Sequence, residues 1–438
     1  MGEKIQNITS NGTAHFTGEL AFLNLYKYGL GAEILVPQGR AELFNHGIDQ
    51  YYAYGRLYNT STKIIARTTT QDRMVQSAEY FMTGFFGSTW TNNATLELII
   101  DQIFYNNSLS GYNQCNDSNT YVSEGGDNAS AIWEAIYLKN AQARFNALGN
   151  YNWSISDVYN AQTLCPYETV SFGYSAFCNL FTFEEWKGFE YTIDLQFDGT
   201  YGFAAPAGRA IGIGWVEELY ARLQGHLYNL APGSTQVNTT LDEMNSTFPL
   251  NQTLYFDFTH DVNIAAVVTA LGLTQFNQTL SASGPPENQQ LIVSHMEPFG
   301  SRLLFEVIDT PHPVKALRPA TNNATTSDYY NSGNATTYIH LTLNQRTIPL
   351  GVSYPQCGAR EDGWCEKSTF LSILGSLLDI ANYEYACFGK YPAVPFGDIT
   401  NGVEPPKTKR DLRARKLGGG MGSGLGLGKR EEEFLARN

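Results

Sequence analysis

No apolar run in the 438-residue chain approaches the roughly 20 residues that a helical membrane span needs. The first thirty residues contain no apolar stretch of the kind that forms the heart of a secretion signal. Met1-Gly2 does not make a myristoylation site, because Gln6 stands where Ser or Thr is required. Histidine is scarce, at seven scattered residues. There is no H-E-x-x-H, no Cys/His cluster with zinc spacing, no Walker loop and no G-x-S-x-G elbow. Those absences argue against zinc-dependent hydrolysis, P-loop chemistry and a serine hydrolase, and they imply no metal or organic cofactor. Basic residues are also few, 28 against 42 acidic ones, for a net charge of −14. The tail from Asn401 holds nine of those bases and only five acids, so the body carries 19 basic and 37 acidic residues, a net of −18. Such a surface disfavours nucleic acid, whose affinity rests on phosphate neutralisation. It suits solubility above an acidic isoelectric point.

What is present is most informative between Leu254 and Leu273, LYFDFTHDVNIAAVVTALGL. The alternating run Leu254 to Thr259 predicts a strand, which ends in His260-Asp261. A run of small and apolar residues then predicts a helix. A potential cation and a potential proton donor thus stand at the carboxyl end of a strand and the mouth of a helix. Open α/β sheets bind ligands there, and a helix N-terminus favours anions. Lys63 to Arg67 repeats the layout. Thr68, Thr69 and Thr70 offer capping hydroxyls, and Met74, Val75, Ala78, Phe81, Met82 and Phe85 share one helical face. Arg67 therefore sits at a second strand-to-helix switch, where its fork of N–H donors suits a phosphate or carboxylate. Alone, Arg67 reads as an ion-pair residue and His260 as a satisfied core histidine. Two such residues at two such switches point to a site.

At these residues the chain resembles the histidine acid phosphatases, in the fungal branch of acid phosphatases and phytases. Six blocks carry the resemblance: LVPQGRAELFNHG (Leu35 to Gly47), ARTTTQDRMVQSAEYFMTGFFG (Ala66 to Gly87), FCNLFTFEEW (Phe177 to Trp186), GIGWVEELYARL (Gly212 to Leu223), FTHD (Phe258 to Asp261) and EPFGSRLLFEV (Glu297 to Val307). They stand in the family's order and span roughly nine-tenths of the chain. The family's R-H-G-x-R-x-P loop, whose histidine is the nucleophile, is absent. His46-Gly47 has no flanking arginines, belongs to a later block and is no substitute. The expectation is a family member lacking its first strand and catalytic loop.

The resemblance implies a phosphohistidine mechanism. A histidine attacks the phosphorus of a monoester, and water then releases phosphate. Arg67 and His260 map onto phosphate-binding positions, and Asp261 maps onto the proton donor for the leaving alcohol. That role needs a protonated carboxyl and suits acid pH. Arg73 lies about a turn into the helix and is given no role. The family's cysteine pairing implies Cys165–Cys178, Cys357–Cys365 and Cys115–Cys387. Six cysteines suit an oxidising compartment, and fourteen N-x-S/T sequons, among them Asn7, Asn59, Asn128, Asn251, Asn323 and Asn334, favour a glycosylated surface. A secreted protein is expected.

The fold expected is α/β, a mostly parallel sheet sandwiched by helices with a helical cap. The phosphatase domain would span 1–400, with the α/β core at about 1–70 and 240–400 and the cap at about 90–235. Strands are predicted at Leu254 to Thr259, Gln290 to Val293, Arg302 to Ile308 and Thr337 to Leu343, and helices at Ile132 to Leu148 and Trp215 to Leu223. Residues 401–438, with their GGGMGSGLGLG run, read as a disordered tail. The function expected is hydrolysis of small phosphate monoesters by a monomer, without nucleic-acid or membrane partners. The alternatives are a phytase, or a non-catalytic secreted glycoprotein that keeps the anion pocket. The region Asp194 to Arg209, where phytases of the family often carry lysines, offers only Arg209, which favours broad specificity.

Overall fold

The computed structural model describes residues 1–227, 234–318, 325–393, 395–396 and 400–403. Helix α1 (Gly2–Ser10), a 3-10 stretch (Gly18–Leu25) and an irregular strap lead into α2 (Pro37–Tyr54). Strand β1 (Ile64–Thr69), α3 (Asp72–Phe86) and β2 (Ala94–Ile99) follow. The middle of the chain is helical: α4 (Gly125–Tyr137), α5 (Lys139–Asn146), α6 (Ile155–Phe172), α7 (Phe183–Thr200) and α8 (Gly208–Gln224). Next come α9 (Thr239–Asp242), α10 (Asp261–Leu271), α11 (Val293–Met296), β3 (Leu303–Thr310), α12 (Thr326–Tyr329) and β4 (Thr336–Leu343). The last elements are β5 (Arg346–Thr347), α13 (Leu350–Ser353), β6 (Cys365–Glu366), α14 (Lys367–Ala381) and α15 (Tyr383–Phe388).

Local signals explain many boundaries. Helices α6 and α7 start on capping boxes, Ser154 with Asp157 and Thr182 with Glu185. Gly272 ends α10 in the left-handed conformation that glycine adopts without a steric penalty. Met74, Ala78, Phe81, Met82 and Phe85 form the buried face of α3, as their spacing predicts. That face meets α2 where both helices carry glycine. A Cβ on Gly47 would lie 2.1 Å from the Phe81 carbonyl oxygen, and one on Gly84 would lie 2.0 Å from that of Phe44. The glycine of His46-Gly47 is therefore a helix-crossing contact.

The sheet departs from expectation. Its parallel part is small: β1 pairs with β2 from Ile64↔Ala94 to Thr69↔Ile99, and Arg67 makes a parallel bridge to Asp257 on its other side. Strands β3 and β4 pair antiparallel from Leu303↔Leu343 to Thr310↔Thr336, with β5 and β6 both antiparallel to β4. Strand direction leaves little mark on an alternating pattern. The half-exposed residues of β3 fit an antiparallel sheet with one wet face. Leu254 to Thr259 is extended but joins the sheet through that single bridge. Gln290 to Val293 is not a strand. The Asp194 carboxylate accepts the Val293 N–H at 2.7 Å, and the chain turns into α11. The helix predicted over Ile132 to Leu148 is broken into α4 and α5, and Trp215 to Leu223 lies within α8.

Ahead of β1, the N-terminal residues pack with the helical middle. Ile5, Phe16, Leu20 and Leu23 share a buried cluster with Phe145, Trp153 and Phe177. The main core forms where α8, α10 and α14 meet, around Ile211, Val267, Val268, Phe370 and Leu374. All three disulfides are formed: Cys115–Cys387, Cys165–Cys178 and Cys357–Cys365, with Cα separations of 4.4, 4.8 and 4.7 Å. Asn401 and Gly402 still belong to the packed body, accepting the Arg209 Nε–H and backbone N–H. The glycine-rich tail, residues 404–438, lies outside the described residues, as do residues 321–324 with the Asn323 sequon.

Candidate active site

The backbone brings two strand ends side by side. Arg67 donates its N–H to the Phe256 carbonyl at 2.9 Å and accepts the Phe258 N–H at 2.9 Å. Past this pairing, one chain leaves the sheet through Thr70 to Arg73 and the other through Thr259 to Asp261. His260 is the N-cap residue of α10, and Asp261 is its first helical residue. The helix behind them is almost wholly buried, from Ala265 to Leu271. Its apolar anchoring fixes the N-terminus in space.

His260 is buried, and its Nε2 faces Asp101 Oδ2 at 3.3 Å. Asp101 follows β2 directly and donates its own N–H to Thr70 Oγ1 at 3.0 Å. Three strand ends thus meet at this carboxylate. Burial works against its charge. The hydrogen bond with His260, attraction to the imidazole, and the Ser110 and Thr69 hydroxyls together hold Asp101 below the usual carboxylate range. The Tyr112 ring stands edge-on to His260, with centroids 6.1 Å apart.

Asp261 is exposed, and its Oδ1 accepts the N–H of Val262 at 2.8 Å. Its charge reaches several buried groups. Tyr112 and Tyr201 are pushed up, first by burial and then by neighbours that include Asp261. Glu297 is also pushed up, by burial first and Asp261 second. Arg73 acts on Tyr112 and Tyr167, the same phenols that Asp261 acts on. Arg73 is the second residue of α3 and forms an ion pair with Glu33. Arg73 and Asp261 thus lie within electrostatic reach of the same two phenols.

Arg67 is placed differently. Its guanidinium is 2 % exposed and enters a buried charge cluster. Nε donates to Asp257 Oδ1 at 2.8 Å, and Nη2 donates to Asp257 Oδ2 at 2.9 Å and to Glu218 Oε2 at 2.6 Å. Arg222 and the Trp215 indole also bind Asp257. The strand places Arg67 next to the site, but carboxylates already occupy its fork. The second arginine of the same block, Arg73, is the one that pairs with Glu33 and acts on Tyr112. Its place in the first turn of α3, six residues on from Arg67, was the signal available in the sequence.

Two other bases are settled by position. His46 lies on α2 against Gly300, and burial, with Arg302 nearby, pushes its imidazole down. Arg209 sits at the far end of α10 from His260-Asp261. It donates to the Ala270 carbonyl at 3.2 Å and to Asn401. It caps a helix C-terminus, where a cation is favoured, and it does not line the site. A cavity of about 790 Å³ at that end, lined by Arg209, Tyr354 and Ser372, is likewise remote from His260.

Comparison with known proteins decides the family. Residues 1–344 match the histidine phosphatase superfamily (branch 2). The chain belongs to that family. It is similar to phytase A of Aspergillus fumigatus, 33% identical over 383 residues that cover 84% of this chain and 76% of the relative. It is also similar to a phytase A of Aspergillus terreus, 36% identical over 392 residues with the same coverage. The crystal structure of the phytase from D. castellii shares the fold, with a TM-score of 0.65 at 21% identity over 90% of this chain and 79% of that one. The protein is thus a hydrolase of the histidine acid phosphatase family.

Proposed function

We propose that this protein hydrolyses phosphate monoesters at acid pH, with Arg73 and His260 binding the phosphate and Asp261 protonating the leaving oxygen. The observation that carries this reading is the placement of His260 between Asp101 and the Tyr112 ring at the mouth of α10, with Asp261 next in the chain and both Arg73 and Asp261 acting on Tyr112. In the reaction, a histidine nitrogen forms a bond to phosphorus as the bond to the ester oxygen breaks. The Asp261 O–H gives its proton to that oxygen, and water then cleaves the N–P bond. Cationic donors aimed at the equatorial oxygens stabilise charge as it builds. The 438 residues contain no R-H-G-x-R-x-P loop. The groups described here supply anion binding and proton delivery, while the attacking imidazole belongs to that motif.

Broad specificity for small monoesters is our first reading, since among the described residues Arg73 is the one arginine we assign to phosphate, and it is paired with the Glu33 carboxylate. The relatives named phytase A favour inositol polyphosphates as the second. The three disulfides, and the exposed sequons at Asn7, Asn59, Asn128, Asn251 and Asn334, support a secreted glycoprotein. Among the described residues no helix is long and apolar enough to cross a membrane. We take residues 90–235 as a helical cap over the strand-bearing core.

Leaving-group dependence tests the proton donor. With the R-H-G-x-R-x-P segment joined to the chain, Asp261→Asn should slow an alkyl phosphate far more than p-nitrophenyl phosphate, whose leaving group needs little protonation. Equal losses for both esters would remove Asp261 from that role.

A further inference from the structure

We propose that Glu33 is a specificity-determining residue that competes with substrate phosphate for Arg73, an inference that rests on the reading of Arg73 as a phosphate ligand. Glu33 lies in the strap between the first 3-10 stretch and α2, where residues 26–36 form neither helix nor strand. The strap is anchored at its start, where Tyr26, Tyr28 and Leu30 pack on the N-terminal core and the Tyr26 hydroxyl donates to Glu168 at 2.5 Å. The Tyr28 N–H donates to Gln6 Oε1 at 2.7 Å, and the Leu35 carbonyl accepts from Arg40 Nε at 3.1 Å. Glu33 itself has φ +58°, a left-handed conformation that costs energy for a residue with a side chain. Its carboxylate nevertheless reaches Arg73 and pairs through Oε2, an atom shielded from water.

The Arg73 and Glu33 side chains are 25% and 35% exposed, and the contacting oxygen is sealed. A carboxylate and a phosphate present the same acceptor geometry to a guanidinium. Each therefore excludes the other from the N–H groups it uses. Glu33 thus acts in two ways. It occupies the arginine until phosphate displaces it, and its own negative charge then remains beside the bound anion. A monoester with a neutral leaving group meets mainly the first effect. An ester carrying further phosphates meets both, because its extra charges also face the displaced Glu33 carboxylate.

Calorimetric titration at pH 5 of inorganic phosphate and of inositol hexakisphosphate into the 438-residue protein, Glu33→Gln, Glu33→Ala and Arg73→Ala tests this. Both Glu33 variants should bind phosphate roughly tenfold more tightly, the worth of one charge-assisted contact, and should gain more for the hexakisphosphate. Arg73→Ala should lose most phosphate binding. Unchanged or weaker phosphate binding in both Glu33 variants, with Arg73→Ala impaired, would overturn the competition. Equal gains for the two ligands would overturn its role in specificity. If Arg73→Ala binds phosphate like the parent, the assignment of Arg73 fails and the proposal falls with it.

Discussion

Arg67 and Asp257 are joined twice over: by parallel backbone pairing between their strands, and by hydrogen bonds of 2.8 and 2.9 Å from one guanidinium to both carboxylate oxygens. Asp257 stands three residues before His260, so this pair welds the strand ends on which the site is built. Arg222, the Trp215 indole and the Phe248 ring complete its surroundings. The two arginines hold the Asp257 carboxyl far below the usual range, against its burial. Asp257→Ala would strip buried Arg222 of its carboxylate and leave Arg67 with Glu218, and breaking such a buried pair costs about 3–5 kcal/mol. Denaturant unfolding should show a loss of that order. A loss under about 1 kcal/mol, typical of exposed pairs, would show that the cluster is not structural.

Buried carboxyls set a pH dependence. Burial pushes Asp194, Asp198 and Glu217 up to about 7, although N–H and hydroxyl donors partly oppose it. In the unfolded chain such groups ionise near pH 4. Their contribution is therefore fully present below about pH 4 and is lost as pH rises toward 7. Asp157 and Glu185, held below the usual range despite burial by Lys4 and Arg144 respectively, act in the opposite sense, and their contribution is lost as pH falls below about 4. The melting temperature should thus be higher near pH 4.5 than at pH 7.5, and Asp198→Asn should reduce the difference. A melting temperature that climbs toward pH 7.5 would contradict these assignments.

The cross-links should differ in weight. Cys115–Cys387 closes a sequence separation of 272, whereas Cys357–Cys365 closes one of 8. In the chain-entropy model the long loop is worth roughly 5–6 kcal/mol, and the short one about half that. Replacing Cys115 and Cys387 by Ser should lower the denaturant midpoint more than the same change at Cys357 and Cys365. The reverse order would mean that local strain, and not loop length, governs.

The helix crossing at Gly47 gives a sharper test. A Cβ there would meet backbone on α3 at 2.1 Å, and overpacking of this kind typically costs about 1–3 kcal/mol. Gly47→Ala should destabilise the protein by that order, even though alanine favours helix. A neutral or stabilising result, read by thermal unfolding, would show that α2 is free to shift.

The sequence makes much of this legible because the signals are local. The strand-to-helix switch at His260-Asp261, the apolar face of α3 and the extent of β4 all depend on residues a few positions apart. The fate of Arg67 does not. Glu218 and Asp257, which claim its guanidinium, lie 151 and 190 positions away, and no pattern around Arg67 reveals them. Asp101, Tyr112, Glu33 and Glu297 escaped for the same reason, since each reaches the site through tertiary placement. The antiparallel pairing of β3 with β4 was hidden because alternation reports which face is buried and not which way the neighbour runs.

One assay bears most directly on the claim that these residues bind phosphate and deliver a proton while the attacking imidazole comes from the R-H-G-x-R-x-P loop. The 438-residue protein, and the same protein preceded by that loop, should be assayed with p-nitrophenyl phosphate from pH 3 to 7. The account predicts turnover at acid pH only with the loop. Without a covalent nucleophile, what remains comes from binding and electrostatics alone. Equal turnover in both would show that another residue of the printed chain attacks phosphorus, and would contradict the account.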